Sequence, residues 1–142
     1  MVIEITREHF NDPEIRELIR HGFETCNSLH GNQYDWSGFP ILKFIETQRL
    51  TVCFRNKKPI GYLMATIGPS FFDPRVIVAK QNMLFSLPNT RATYELMKDF
   101  IDFGKTNANH IITMIGEKTN IKPKSLKKLG FKELETLYRM EF

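Results

Sequence analysis

The spacing of apolar residues divides the chain into segments with the period of a helix and segments with the period of a strand. From Pro13 onward, apolar side chains recur three and four residues apart, and Asn11 and Asp12 supply a cap before that proline. From Leu50 onward, apolar and polar residues alternate, as in a half-buried strand. In chain order we predict a strand from residue 2, a helix over 13–26, a loop over 27–39, a short helix from 41, strands over 50–55, 60–67 and 76–87, a helix over 91–105, a strand over 110–115, a helix over 122–129 and a strand pair over 131–142.

The order of these elements predicts an α/β fold with a single mixed, largely antiparallel twisted sheet that is flanked by helices. The unit from residue 76 to residue 115 should make a right-handed crossover that places its two strands parallel. The chain has 142 residues, no internal repeat and no linker, and a chain of this length can bury a self-sufficient core. We therefore expect a single domain over residues 1–142.

The composition is that of an ordinary folded domain, with 42% hydrophobic residues, 25% charged residues and a formal net charge of +4, which argues against intrinsic disorder. Cys26 and Cys53 lie far apart, belong to no CxxC pair and have no clustered histidines nearby, so we expect neither a metal site nor a disulfide framework. The N-terminus lacks the basic start and apolar run of a signal peptide, and no segment approaches about 18 apolar residues. These features predict a protein of the reducing cytoplasm that does not span a membrane.

Two stretches of the chain carry a family resemblance. The first covers residues 125–138 and contains Leu-Gly-Phe in its middle, and the second covers residues 85–93, where Leu-Pro at the end of a strand runs into Arg-Ala-Thr at the start of a helix. Together with the order of elements, these stretches resemble the GNAT superfamily of acyl-CoA-dependent N-acyltransferases, in the style of its small phage and bacterial members. The resemblance covers nearly the whole chain and implies a GNAT-like fold.

The resemblance implies a binding site for acetyl-CoA at the start of the helix that follows this Leu-Pro. In the family, backbone N–H groups of a glycine-containing loop at this helix N-terminus hold the diphosphate of the cofactor. The corresponding residues here are Thr90, Arg91, Ala92 and Thr93. The stretch over residues 88–95 contains no glycine. Two interpretations stay open: Asn89 or Thr90 only caps the helix, or the capped helix also binds phosphate.

The resemblance also implies roles for the preceding strand and for the last helix. The splayed end of the strand, at Phe85, Ser86 and Leu87, would offer backbone groups to the pantetheine arm and an N–H group, which we place at Leu87, to the thioester carbonyl. The tyrosine that protonates the departing thiolate in many members aligns with Leu126, which cannot donate a proton. That role then stays vacant or falls to water or to the neighbouring Ser125.

Other residues are candidates for the base and for the acceptor site. Glu117 follows a strand at its C-terminal end, where open α/β sheets place their ligands, and we assign it as a base or a substrate-orienting carboxylate. Gln81 can orient water but cannot act as a base, and His110 is more typical of a surface or edge position. Tyr34 and Trp36 lie in the loop where the family recognises its acceptor. Either they contact the acceptor, or Trp36 anchors the loop to the core.

The resemblance implies an enzyme that transfers the acetyl group of acetyl-CoA directly to a primary amine on a small molecule or a protein, without a metal. The alternative is an inactive GNAT-fold domain that serves as a binding or phage virion-associated protein, located in the host cytoplasm or the virion. A second copy of the chain or a virion protein is the macromolecular partner that these interpretations allow. The lysine cluster over residues 118–132 is typical of a solvated face, and no nucleic-acid motif accompanies it, so nucleic-acid binding ranks third.

Overall fold

The helices and strands follow the predicted order as far as the last helix. The computed structural model describes residues 1–31, 35–114, 121–134, 138–140 and 142. Its elements are β1 (Val2–Glu4), α1 (Pro13–His30), α2 (Ile41–Thr47), β2 (Arg49–Arg55), β3 (Lys58–Pro69), β4 (Ile77–Ser86), α3 (Ala92–Asn107), β5 (His110–Ile112) and α4 (Pro123–Lys128). Short 3-10 turns at His9–Asn11 and Trp36–Gly38 precede α1 and α2.

The strands form one sheet in the order β1-β2-β3-β4-β5. The first four strands are antiparallel to their neighbours, and β5 runs parallel to β4. The predicted mixed, largely antiparallel sheet and its predicted parallel pair are therefore confirmed. The turn between β2 and β3 places Asn56 and Lys57 at φ angles of 52° and 64°, which suits the twist of a two-residue hairpin.

Alternate side chains of the central strands build a separate core on each face of the sheet. On one face, Leu63 of β3 shares a core with Phe100 of α3 and Leu126 of α4. On the other face, Tyr62 of β3 shares a core with Ile19 of α1. The sheet therefore separates α1 and α2 from α3 and α4.

The first helix begins as predicted but ends later. Asp12 accepts a hydrogen bond from the Glu14 amide at 2.9 Å, and a proline occupies the first turn. The helix continues past the predicted end at Cys26 to His30 and stops at Gly31, whose φ of 65° lies in the left-handed region. The glycine is the stop signal, because it adopts this conformation without a steric penalty.

The C-terminal part of the chain differs from the prediction. The described residues of 131–142 form no strand, and Leu134, Tyr138 and Met140 are exposed, because no described element covers their apolar side chains. β5 is also shorter than predicted, and its residues are exposed or half-buried rather than buried. Among the described strands it has a partner on one edge only, and a side chain of β4 ends its ladder early.

The third helix lies close against β3 because small residues meet where the helix crosses the strand. A Cβ atom on Gly61 would lie 2.8 Å from the Cβ atom of Ala92 and 2.8 Å from the carbonyl oxygen of Phe85. Farther along the helix, Arg49 of β2 forms an ion pair with Asp99 at 3.0 Å. These contacts place the N-terminus of α3 beside the end of β4.

The packing of α1 depends on a notch at Gly22. A Cβ atom there would lie 2.0 Å from the hydroxyl oxygen of Tyr62, which donates to the Ile19 carbonyl oxygen at 3.2 Å. We expect Gly22→Ala to lower the free energy of unfolding, measured by urea denaturation, by about 1–3 kcal/mol, because the ring must move. Gly38→Ala is the control, since a Cβ atom at Gly38 would meet nothing within 4 Å. A Gly22→Ala protein as stable as the wild type would contradict this packing.

Candidate functional site

Strands β4 and β5 pair over a short stretch only. Residues 78–80 of β4 pair with residues 110–112 of β5. Beyond this stretch the side chain of Gln81 replaces the ladder, since its Oε1 atom accepts from Thr113 Oγ1 at 2.6 Å and from the Met114 amide at 3.2 Å. The second half of β4 therefore has no partner strand on its outer edge among the described residues.

A bulge at Asn82 reverses the direction in which the backbone groups of β4 point. The register between β3 and β4 skips this residue. Before the bulge, Ile77 faces β5, because its amide donates to the Asn109 side chain and its carbonyl accepts from the Asn109 amide, both at 2.8 Å. After the bulge, Leu87 faces β3, because its amide donates to the Ile60 carbonyl oxygen at 2.9 Å.

The open edge of β4 therefore presents the N–H and C=O groups of Leu84 and Ser86. In an antiparallel pair, successive residues point these groups to alternate sides, so Phe85 faces β3 as Leu87 does. The Leu87 amide, which the resemblance assigns to the thioester carbonyl, has its partner inside the sheet and is not free for that role. Of the three residues expected to contact pantetheine, only Ser86 turns its backbone to this edge. Leu84 joins it, although no sequence signal marks this residue.

The loop between β4 and α3 adopts glycine-like backbone angles without a glycine. Asn89 has a φ of 62° and Arg91 a φ of 59°. This conformation costs roughly 1 kcal/mol for a residue that has a Cβ atom. Thr90 lies between them and braces the loop, because its Oγ1 atom donates to the Leu87 carbonyl oxygen at 2.7 Å and lies 3.0 Å from Ser86 Oγ. Side-chain hydrogen bonds thus hold a conformation that glycine adopts freely.

The N-terminus of α3 keeps backbone N–H groups available. Arg91 is its cap residue and makes no side-chain capping hydrogen bond. The predicted cap from Thr90 forms only weakly, since its Oγ1 atom lies 3.5 Å from the Ala92 amide. The Tyr94 amide donates to the Arg91 carbonyl at 3.2 Å. Among the described residues, the Ala92 amide has no acceptor closer than Thr90 Oγ1 at 3.5 Å, and the Thr93 amide has none. Neighbouring amides at the positive end of a helix suit an anion.

A cleft of about 1000 Å³ extends along α3 and reaches α4. Its lining includes Arg91, Thr93, Met97, Ile121, Ser125 and Leu129. Of the predicted cofactor residues, the cleft brings Arg91, Thr93 and Ser125 together. The side chain of Ala92 is buried against the sheet, so this residue offers only its backbone.

The last helix is anchored by Leu126, which is buried in the core. Its neighbour Ser125 is exposed and lies on the cleft side. The described lysines of this region, at 122, 124, 127, 128 and 132, are exposed, as expected of a solvated face. The helix therefore places a hydroxyl, and no phenol, at the cleft.

Two of the predicted functional residues, Glu117 and Tyr34, lie outside the described residues. Trp36 begins a 3-10 turn that Asp35 stabilises, because the Asp35 carboxylate accepts hydrogen bonds from the hydroxyl and the amide of Ser37 at 2.6 and 3.0 Å. These two hydrogen bonds lower the pKa of Asp35. The turn lies just before α2.

Two histidines lie near β4, one beside each half of the strand. His110 begins β5 opposite Val78, in the paired stretch, and thus away from the opening at the unpaired half of β4. His21 is exposed on α1, with its ring centroid 5.2 Å from that of Phe85. His21 lies off the apolar stripe of the helix and carries no sequence signal for a functional role. It stands on the α1 face of the sheet, beside the open part of β4.

A network that the sequence analysis also missed ties the loop to β2. Arg55 donates from Nη1 to the Thr90 carbonyl oxygen and from Nη2 to Glu95 Oε2 at 3.1 Å. The Cys53 thiol donates to the same Glu95 oxygen at 3.0 Å, which lowers the pKa of Glu95. Burial, reinforced by Glu95, raises the pKa of Cys53 to about 12. The thiol is therefore a hydrogen-bond donor and not a nucleophile at neutral pH.

In the part of the chain that the structure describes, no group of three or more His, Cys, Asp or Glu side chains could hold a metal ion. None of the helices described there combines the length and the apolar character that crossing a bilayer requires.

Comparison with known proteins gives structural matches only. No family model matches the chain, and no curated protein matches it. A ribosomal-protein-alanine N-acetyltransferase from Brucella melitensis biovar Abortus 2308 is 7% identical, with a TM-score of 0.72 over 100% of this chain and 99% of its own. The aminoglycoside acetyltransferase meta-AAC0020, from an uncultured soil metagenomic sample, is 12% identical, with a TM-score of 0.72 over 100% and 94%. A transcriptional regulator from Bacillus halodurans C-125 is 14% identical, with a TM-score of 0.73 over 100% and 99%.

The chain has the fold of the GNAT acetyltransferases, as the resemblance of its sequence implied. The matches cover the whole chain, but at identities of 7–14% they show a shared fold and no more. Since one fold hosts several functions, the activity has to be argued from the site.

The two thiols should differ in reactivity. Cys53 is fully buried and bonded to Glu95, whereas Cys26 is half-buried, and burial raises the pKa of its thiol. We expect a disulfide dye at mildly alkaline pH to label Cys26 slowly and Cys53 only after unfolding in urea, because thiolate and access are both required. A Cys26→Ser variant isolates the second thiol. Prompt labelling of that variant in native buffer would contradict the network.

Proposed function

We propose that the chain is an N-acetyltransferase that transfers the acetyl group of acetyl-CoA to a primary amine. The observation that carries the proposal is the outer edge of the second half of β4, which has no partner strand among the described residues, beside a helix N-terminus with available amides. A free strand edge can bond an extended ligand that contains amides, and the helix start can bond its phosphates. Acetyltransferases among the proteins with this fold support the proposal.

Acetyl-CoA would lie along three neighbouring surfaces of the chain. Its pantetheine arm would follow the open edge, where Leu84 and Ser86 present their backbone groups. Its diphosphate would bind the amides at the start of α3, over residues 90–93, with the exposed guanidinium of Arg91 adding positive charge. Ser125 would contact the cofactor from α4. The residues fit the cofactor because, among the described residues, these backbone groups have no hydrogen-bond partner closer than 3.5 Å.

Acetyl-CoA supplies a thioester, whose carbonyl carbon forms a bond to the amine nitrogen while the carbon–sulfur bond breaks and the thiolate leaves. At the open edge, the amide of Leu84 or of Ser86 would donate a hydrogen bond to the carbonyl oxygen as that oxygen gains negative charge. One such donor contributes about 10²–10³ in rate. We assign the role to these two residues in place of Leu87, whose amide is bonded to Ile60.

The amine must lose a proton near the thioester, and a positioned base would accept it. Glu117 remains our candidate from the sequence, and His21 is a second candidate because it lies beside Phe85 on the α1 face. Tyr34 and Trp36 remain candidates for contact with the acceptor. The structural neighbours named above include acetyltransferases for a ribosomal-protein alanine and for aminoglycosides. We therefore propose both a protein N-terminus and a small-molecule amine as acceptor classes.

An inactive domain of the same fold is the second proposal. Its support is the buried Leu126, a residue without a proton to donate, at the position that aligns with the family's tyrosine. Such a domain would keep the cleft for binding without turnover, in the cytoplasm or in a virion, with a second copy of the chain or a virion protein as its partner.

Acetyl-CoA binding tests the first proposal. With millimolar acetyl-CoA we expect the melting temperature of the wild type to rise by several degrees, because the ligand binds only the folded state. Thr93→Glu should abolish the rise, since its carboxylate repels a diphosphate although it suits the helix N-terminus. Thr93→Gln, the neutral variant of the same size, should retain it. The absence of a rise for the wild type would count against both proposals for the cleft.

Turnover separates the enzyme from the inactive domain. Release of CoA, followed with a thiol-reactive dye, should occur with a peptide N-terminus or an aminoglycoside as acceptor. We expect His21→Gln to lower the rate by about 10²-fold, the lower range for a general base, with the melting-temperature rise in acetyl-CoA unchanged. His110→Gln should behave as the wild type, because His110 lies away from the opening. An unaltered rate for His21→Gln would leave Glu117 as the base.

A further inference from the structure

The loop that leads into α3 is held by contacts from outside itself. Asn89 and Arg91 both have positive φ angles although neither is glycine. Thr90 links the loop backward to the end of β4, through Ser86 and Leu87. These bonds do not reach the neighbouring strand β2. The described contact that does so is the hydrogen bond from Arg55 to the Thr90 carbonyl oxygen.

This hydrogen bond fixes the orientation of the peptide group between Thr90 and Arg91. The described chain contains no cis peptide bond, and in a trans peptide the carbonyl of one residue and the N–H of the next point in opposite directions. Because Arg55 holds the Thr90 carbonyl toward β2, the Arg91 N–H is turned away from β2. A left-handed residue followed by a helical one, here Arg91 and Ala92, directs successive N–H groups into an anion-binding concavity.

Arg55 also controls the charge at the start of the helix. Glu95 lies in the first turn of α3, where a free carboxylate would repel a diphosphate. Arg55 Nη2 holds its Oε2 atom at 3.1 Å, and the Cys53 thiol holds the same atom at 3.0 Å. The carboxylate is therefore paired and drawn toward β2.

We infer that Arg55 is a positioning residue for the diphosphate of acetyl-CoA, an inference that rests on the proposed function. It replaces the freedom of the glycines in the family's loop with a fixed orientation of the amides of Arg91, Ala92 and Thr93. Because the amides are ordered before the ligand arrives, binding loses less conformational entropy. The guanidinium also lines the cleft and pairs with Glu95, one of the three carboxylates of the lining.

If Arg55 served stability alone, its removal would lower the urea midpoint, which we do not expect. The side chains of Arg55 and Glu95 are 44% and 40% exposed, and ion pairs with such exposure stabilise a fold very little. Removal of the guanidinium should therefore leave the midpoint of urea unfolding near that of the wild type, while the loop loses its fixed peptide orientation.

Binding of acetyl-CoA, measured by titration calorimetry, provides the first test. We expect Arg55→Met to raise the Kd roughly 10- to 100-fold, since misplaced donors lose their bonds to the phosphates. Arg55→Lys should recover part of the affinity, because an ammonium group can still donate to the Thr90 carbonyl. Arg75→Met is the matched control, since Arg75 pairs with Asp73 in an exposed turn and should leave the Kd unchanged.

A truncated thioester distinguishes a loss of diphosphate binding from a general loss of structure in the site. S-acetyl-N-acetylcysteamine carries the thioester but no diphosphate. For Arg55→Met we expect a raised KM for acetyl-CoA with nearly unchanged kcat, and an unchanged kcat/KM for the truncated thioester. An equal loss with both donors would show a general disturbance of the site and would overturn the inference.

The remaining outcomes distinguish failure of the Arg55 role from failure of the proposed function. A wild type that does not bind acetyl-CoA would overturn both the proposed function and the role of Arg55. A wild type that binds, together with an Arg55→Met variant that binds equally tightly, would overturn the role of Arg55 alone and leave the proposed function standing.

Discussion

The extra residue at Asn82 is the constraint on which the candidate site depends. The N–H and C=O groups of successive strand residues point to alternate sides. One inserted residue therefore turns outward the groups that would otherwise bond to the neighbouring strand. Before the bulge, Ile77 bonds toward β5, and after it Leu87 bonds toward β3. The side chain of Gln81 satisfies the end of β5 where the ladder stops. The sheet can thus open at one edge without leaving the backbone groups beside Gln81 unpaired.

Much of the fold could be predicted because its signals are local. Helical spacing, a cap before Pro13 and strict alternation from Leu50 each lie within a few residues, and the structure contains the corresponding α1 and β2. The turn at Asn56 and Lys57 is equally local. The late end of α1 could have been inferred from Gly31, a residue that ends helices in the left-handed conformation. The described residues of 131–142 do not form the predicted strands, because alternation alone does not supply a partner strand.

The site was less predictable because its parts meet across the chain. Whether Leu87 or Ser86 faces the open edge depends on the register with β3, and an error of one residue reverses the answer. Arg55 reaches a carbonyl 35 positions away in sequence, and no local pattern marks such a pair. The resemblance pointed to the helix N-terminus whose backbone amides we propose for the diphosphate, and the side chain of Ala92 there is buried, so this residue can offer only its backbone.

The left-handed angles at Asn89 and Arg91 have an evolutionary consequence. A loop braced by side chains can keep this backbone path without glycine, because hydrogen bonds hold angles that glycine adopts freely. Ancestral and descendant chains can then share one backbone conformation while the residue types at this turn differ. Signatures that demand glycine at this turn would overlook such lineages, whereas the path of the main chain would still reveal their kinship.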